Sequence, residues 1–184
     1  MAEPGFAPER ILAVLREHGV RYVLVGGFAA VIHGSPYVTT DLDVVPERSE
    51  ENLRRLSEAL RAMHARVWTE REPRGIRFEH DAASLARAET WNLVTDHGRL
   101  DLAFVPAGTR GYEDLVRDAR RIEVLGVEVV VASLADVVRS KEAAGREKDR
   151  LVLPVLRRLL EEGGEDRRAG GPGRTHPPME MEIR

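Results

Sequence analysis

Three aspartates and a pair of glycines are the residues of this chain whose types and spacing could do chemistry. Asp41-Leu42-Asp43 lies in a β-branched run, 39–45, that reads as a strand. Alternate strand residues point the same way, so both carboxylates face one side while Leu42 and Val44 face the core. Like charges at that spacing repel. They become a favourable arrangement when a hard cation such as Mg²⁺ sits between the oxygens and keeps waters or phosphates as its other ligands. The competing reading is an exposed polar strand face, the commoner meaning of an isolated Asp-x-Asp. Asp101 lies in Arg99-Leu100-Asp101-Leu102-Ala103-Phe104, a second strand pattern with Leu100, Leu102 and Phe104 on the opposite face. An acid there needs a partner. Either Arg99 or Arg21 pairs with it, or a neighbouring strand sets it beside Asp41 and Asp43 in a three-carboxylate site for two metal ions.

Gly26-Gly27 follows a short β-branched run and precedes a compact apolar segment, 28–32, so the pair sits at a strand-to-helix turn. Backbone N–H groups there are unpaired and the helix dipole favours an anion, while glycine lets a phosphate approach. The plainer reading is a tight turn with close helix packing. Order and spacing add weight to the first: the 13 residues between Gly27 and Asp41 leave room for a helix and a returning strand. Lys141, seven residues after Leu134, falls on the inner side of its helix, where a lysine either snorkels to solvent or meets an anion such as a triphosphate. Arg146, Lys148 and Asp149 stand near a helix boundary, as phosphate contacts or as ordinary caps and ion pairs. Tyr37 and Trp91 could stack on a base or anchor a core. The six histidines have no metal-ligand spacing and no serine sits in a nucleophile elbow, so hydrolase readings find no support.

The elements that must position these residues follow from periodicity and punctuation. A helix starts at Pro8 with Ile11, Leu12 and Leu15 on one side and ends at Gly19; a strand covers 21–25. Ser49 caps a helix with Leu53, Leu56, Leu60 and Met63 on its inner face. Residues 69–81, polar and broken by Pro73 and Gly75, read as a loop, followed by a short helix over 82–88. Strands are expected at 91–95 and 100–105, joined through His97-Gly98, and at 122–125 and 127–131, joined at Gly126. Ser133 opens a helix bent or ended by Gly145, and a last helix carries Val155, Leu156, Leu159 and Leu160, with Pro154 near its start or kinking it.

A chain of 184 residues with 42% hydrophobic and 32% charged residues is expected to form one globular domain over 1–162. Residues 163–184, with five glycines, three prolines and little apolar content, are expected to be a mobile tail. The absence of cysteine excludes a disulfide framework and thiolate metal sites and favours the cytoplasm. No apolar run is long enough to span a bilayer, and 1–6 carries acid and proline where a secretory signal would be basic and apolar. A net charge of −3 argues against general DNA binding while leaving room for a local basic groove.

From about Tyr22 to Phe104, with Gly26-Gly27, a short helix, Thr40-Asp41-Leu42-Asp43 and the later strand bearing Asp101, the chain resembles the nucleotidyltransferase-fold superfamily of polymerase β-like enzymes. The wording Gly-Gly-Phe-Ala-Ala, His-Gly and Thr-Asp-Leu-Asp is most similar to the minimal bacterial and abortive-infection, tRNA-modifying toxin group, and Ser140 to Asp149 resembles the helical segment that follows the catalytic sheet there. The resemblance implies an α/β (α+β) fold with a small mixed sheet flanked by helices and C-terminal helices. It implies transfer of an NMP from an NTP to an acceptor hydroxyl on a tRNA or RNA end or a protein, with Mg²⁺ or Mn²⁺ held by Asp41, Asp43 and Asp101. Gly26 and Gly27 would seat the triphosphate, and a cognate antitoxin is an expected partner. Many members carry Gly-Ser where this chain has Gly26-Gly27, so one phosphate-binding hydroxyl is missing. A small-molecule nucleotidyltransferase and a non-catalytic nucleotide-sensing module are the alternatives.

Overall fold

The computed structural model of the chain describes residues 5–168. In chain order the elements are α1 (Pro8–Glu17), β1 (Tyr22–Val25), α2 (Gly26–Ile32), β2 (Asp41–Pro46), α3 (Glu50–Ala62), β3 (Arg66–Thr69), β4 (Glu72–Ile76) and α4 (Ala82–Leu85). They are followed by β5 (Thr90–Thr95), β6 (Gly98–Ala103), α5 (Tyr112–Leu115), β7 (Arg120–Val124), β8 (Val127–Val131), α6 (Leu134–Ala144) and α7 (Glu147–Arg168). The eight strands form one mixed sheet in the order β4-β3-β5-β6-β2-β1-β8-β7. The expected architecture, a mixed sheet flanked by helices with two helices at the C-terminal end, is the one observed.

Two pairings decide where the chemistry goes. β1 and β2 are antiparallel with Val25 opposite Asp43, so the turn into α2 lies beside the second aspartate. β2 and β6 are parallel neighbours, with Asp41 opposite Arg99 and Asp43 opposite Asp101. On the opposite side of these strands Leu42, Val44, Leu100 and Leu102 are buried and join a single core with Ile11, Leu15, Leu53 and Leu56. The alternation of acid and aliphatic along β2 and β6 is therefore a split between an apolar face and a charged one.

Asn52 ties the wet ends of three elements together. It is fully buried in α3, accepts from the Arg21 backbone N–H at 2.7 Å, and donates to the carbonyls of Arg21 and Glu47, each at 2.8 Å. Ser49 caps that helix, accepting from Asn52 N–H at 3.3 Å. These bonds fix the end of β2 and leave its start, with Asp41 and Asp43, as the open end.

The stretch 69–81 departs from the expected loop. It contains the edge strand β4, paired antiparallel with β3 through Val67 to Ile76 and Thr69 to Glu72. Pro73 is tolerated because β4 is the last strand of the sheet and needs no donor on its outer side. Gly75 sits at φ +79°, and a β-carbon there would lie 2.5 Å from both Arg66 Cβ and Val94 Cγ1. The residues that signalled a loop are thus the ones that let the hairpin edge press onto β3 and β5.

α7 runs through Gly163 and Gly164 to Arg168, with Pro154 inside it. Residues 169–184, part of the stretch expected to be a tail, lie outside the described residues. No helix among the described residues is long and apolar enough to cross a membrane.

Candidate active site

The register of β2 and β6 brings Asp41, Asp43 and Asp101 together. One carboxylate oxygen from each lies within 4.8 Å of the others, and all three side chains are partly buried. They line a cleft of about 620 Å³ with Gly26 and Gly27 from the start of α2, Thr39 and Tyr37 from the α2–β2 connection, Lys141 from α6, Arg146 from the α6–α7 link and Lys148 from α7. All six expected site residues, Asp41, Asp43, Asp101, Gly26, Gly27 and Lys141, therefore meet in one place.

The two glycines have an observed steric purpose. Gly26 has φ +69°, and a β-carbon on it would lie 1.9 Å from Asp43 Oδ2; a β-carbon on Gly27 would lie 2.8 Å from Thr39 Oγ1. Their missing side chains let the Asp43 carboxylate and the Thr39 hydroxyl pack under the first turn of α2. The Gly27 backbone N–H points to Asp43 Oδ2 at 3.4 Å.

Each carboxylate has its own support. Thr39 Oγ1 donates to Asp41 Oδ1 at 2.6 Å. Arg99 reaches both oxygens of Asp101, at 3.3 and 3.4 Å, and its guanidinium lies 3.6 Å from the centre of the Trp68 ring. Asp43 has the Gly27 N–H and the charges of Lys148 and Arg146 in its favour. Burial, and then the charges of Asp41 and Asp101, push its carboxyl up to about 7. Burial also raises Asp101, with Arg99 opposing the shift. This is an electrostatic deficit that a bound cation would relieve. The donors are oxygen only, come from three side chains and are close enough to share an ion, which fits a hard divalent cation of the Mg²⁺ or Mn²⁺ kind.

The cationic wall is organised around Asp149. Its carboxylate is fully buried and accepts from Lys141 Nζ at 3.1 Å and from Arg146 Nε at 2.7 Å. Lys141 is on the inner side of α6 as expected, and its partner is a carboxylate of the next helix. The contact ties α7 to α6 across the break at Gly145. Lys148 is exposed, lines the same cleft and has no ion pair among the described residues.

Trp91 is remote from the cleft. It faces the core side of β5, donates from Nε1 to the Leu85 carbonyl at 3.1 Å and stacks on Phe78. Tyr37 lines the cleft. Sequence reasoning missed Thr39 and the Trp68–Arg99 stack. Thr39 was within reach, because it has the same strand parity as Asp41 and Asp43; the stack joins strands that no local pattern connects.

No protein-family model matches the chain, and no curated protein matches it. Its fold is similar to that of a Thermotoga maritima crystal structure provisionally described as a nucleotidyltransferase, with a TM-score of 0.50 and 19% sequence identity, covering 84% of this chain and 91% of that one. The sheet, its flanking helices and this likeness together give the chain the nucleotidyltransferase fold.

Proposed function

We propose that this chain is a divalent-cation-dependent nucleotidyltransferase, moving an NMP from a nucleoside triphosphate to an acceptor hydroxyl on an RNA end such as that of tRNA. The observation that carries this is the convergence of Asp41, Asp43 and Asp101 within 4.8 Å, in a cleft that also holds Lys141, Arg146 and Lys148. A triphosphate and its metal need that juxtaposition of acidic and basic walls. Asp41, Asp43 and Asp101 would hold Mg²⁺ or Mn²⁺, which when bound neutralises phosphate charge and makes the acceptor hydroxyl more acidic.

The remaining work falls to the chain's own groups. Gly26 and Gly27 keep side chains out of the space beside the carboxylates, and Lys148 and Arg146 face the departing pyrophosphate. Thr39 and Arg99 fix the oxygens of Asp41 and Asp101. The acceptor hydroxyl gives its proton to solvent as its oxygen attacks the α-phosphorus in line, the bond to the α–β bridging oxygen breaks, and pyrophosphate leaves with that electron pair, with positioning and charge neutralisation supplying most of the acceleration. An RNA acceptor and an antitoxin partner are supported by the Gly-Gly-Phe-Ala-Ala and Thr-Asp-Leu-Asp wording of the chain.

Incubation with Mg²⁺ or Mn²⁺, each labelled NTP and bulk tRNA or cell lysate is expected to give a labelled macromolecule and free pyrophosphate. Asp101→Asn should lower the rate at least ~100-fold while the protein stays folded by circular dichroism. Pyrophosphate release with antibiotics or metabolites instead would move the acceptor to the small-molecule class, and no product with any NTP or acceptor would overturn the enzyme reading.

A further inference from the structure

We propose that Tyr37, Val38 and Leu151 form the seat of the nucleobase, held by stacking and apolar contact; this rests on the nucleotide reading above. Six large hydrophobic side chains are exposed among the described residues, and three of them, Tyr37 at 45%, Val38 at 92% and Leu151 at 66%, line the cleft that contains the carboxylates. Scattered exposed hydrophobics are ordinary, whereas a group of them on one concave site marks ligand contact.

The two sides of this lip come from different parts of the chain. Tyr37 and Val38 belong to the α2–β2 connection, and Leu151 to α7. That connection runs close to α7, since a β-carbon on Gly34 would lie 3.7 Å from the Leu159 side chain. Lys148, Leu151 and Val152 all line the cleft and are spaced i, i+3, i+4, so they form one stripe along α7. The stripe changes from cationic to apolar within one helical turn, about 5.4 Å. One cleft thus holds three chemistries, metal-binding at the carboxylates, cationic at Lys148 and apolar at the lip. They match the metal, the phosphates and the base of a metal-bound nucleotide. Val152 and Ala30, which also line the cleft, bring no polar side-chain group, while the hydroxyls beside the lip are those of Tyr37 itself and of Ser35, Thr39 and Thr40 on the same connection, Thr39 being engaged with Asp41. Such a seat favours large flat bases through contact area.

The test compares a ligand with a base against one without. Wild type is titrated with Mn²⁺–ATP, Mn²⁺–CTP and Mn²⁺ plus inorganic triphosphate by calorimetry, alongside Tyr37→Ala, Val38→Ser and Leu151→Ser. All three positions are exposed, and thermal melts check that the variants fold. The expected result is an ATP affinity reduced about 5- to 30-fold by Tyr37→Ala and Leu151→Ser, a smaller loss for CTP, and a triphosphate affinity unchanged within about 2-fold. Equal losses for ATP and triphosphate, or an ATP affinity that ignores the lip, would overturn the base seat and leave the nucleotide reading standing. Failure of wild type to bind either ligand would remove the nucleotide reading itself. A wild-type dimer that Leu151→Ser converts to monomer in sedimentation would reassign the lip to self-association.

Discussion

The Thr39 hydroxyl stands 2.8 Å from the point where a β-carbon on Gly27 would lie. From there it donates to Asp41 Oδ1 at 2.6 Å, so one small side chain both requires glycine at the helix start and holds a carboxylate of the site. Gly27→Ala should force Thr39 aside. Overpacking costs about 1–3 kcal/mol, and alanine's better helix propensity returns up to about 1 kcal/mol. The expected net loss is about 1 kcal/mol by urea denaturation, with a several-fold weaker Mn²⁺ affinity by paramagnetic resonance. Thr39→Ala should weaken Mn²⁺ binding with little change in stability, and Thr39→Ser should retain it. Mn²⁺ binding by Gly27→Ala equal to wild type would contradict the coupling.

The metal-free protein should become less stable as pH rises, because of Asp43. Its carboxyl titrates near 7 in the fold, driven by burial and then by Asp41 and Asp101, against about 3.9 in an unfolded chain. Between those values the folded state binds more protons than the unfolded one, so unfolding becomes easier through this window and levels off above it. At about 1.4 kcal/mol per pKa unit, Asp43→Asn should exceed wild type by an order of 2–4 kcal/mol at pH 8 in EDTA. The gap should close near pH 4. Equal melting temperatures at both pH values would refute this.

Asp149 should behave in the opposite sense. Burial works against its ionisation, but the hydrogen bonds and charges of Arg146 and Lys141 outweigh that and hold its carboxyl below the usual range. Its stabilising contribution is present above the unfolded value, about 3.9, and is lost as the pH falls through the lowered one. Asp149→Ala leaves the largely buried Lys141 without its anion and should cost about 3–5 kcal/mol at pH 7. Lys141→Met, which leaves Arg146 on the carboxylate, should cost less. Chemical denaturation of the two variants side by side checks the order.

The carboxylate site could be read from the chain because its logic is local. Period-two alternation placed Asp41 and Asp43 on one face, and the lone acid in the Leu-Asp-Leu of β6 demanded a partner, which Arg99 supplies while parallel pairing sets the acid beside Asp43. The helix limits came from Ser49, Pro8 and Gly145 for equally local reasons. The Lys141–Asp149 bond could not be read, because it crosses the helix break at Gly145, where the period of one helix no longer predicts facing residues. The β3–β4 hairpin was hidden for another reason: in an edge strand Pro73 and Gly75 are compatible with pairing, and only the sheet order says which strand is the edge.

Gly75→Ala tests that hairpin. The position has φ +79°, and the new methyl would meet Arg66 Cβ and Val94 Cγ1 at 2.5 Å. A left-handed conformation and a core-like clash together should cost about 2–4 kcal/mol, read as a lower melting temperature. Exchange of the β3 and β4 amides should quicken. A neutral substitution would mean that β4 does not press on β5 in solution.

Asp43 and Asp101 are adjacent only through the parallel pairing of β2 with β6, and β3, β4 and β5 lie between them in the chain. A parallel neighbour cannot be made by a tight turn, so this contact has a high loop-closure cost and depends on the intervening hairpins being in place. The three-carboxylate cluster is consequently a property of the completed sheet. A ribosome-bound fragment ending before β6 has two of the three aspartates and no cluster, and a divalent ion held by the finished cluster would stabilise the whole fold against unfolding.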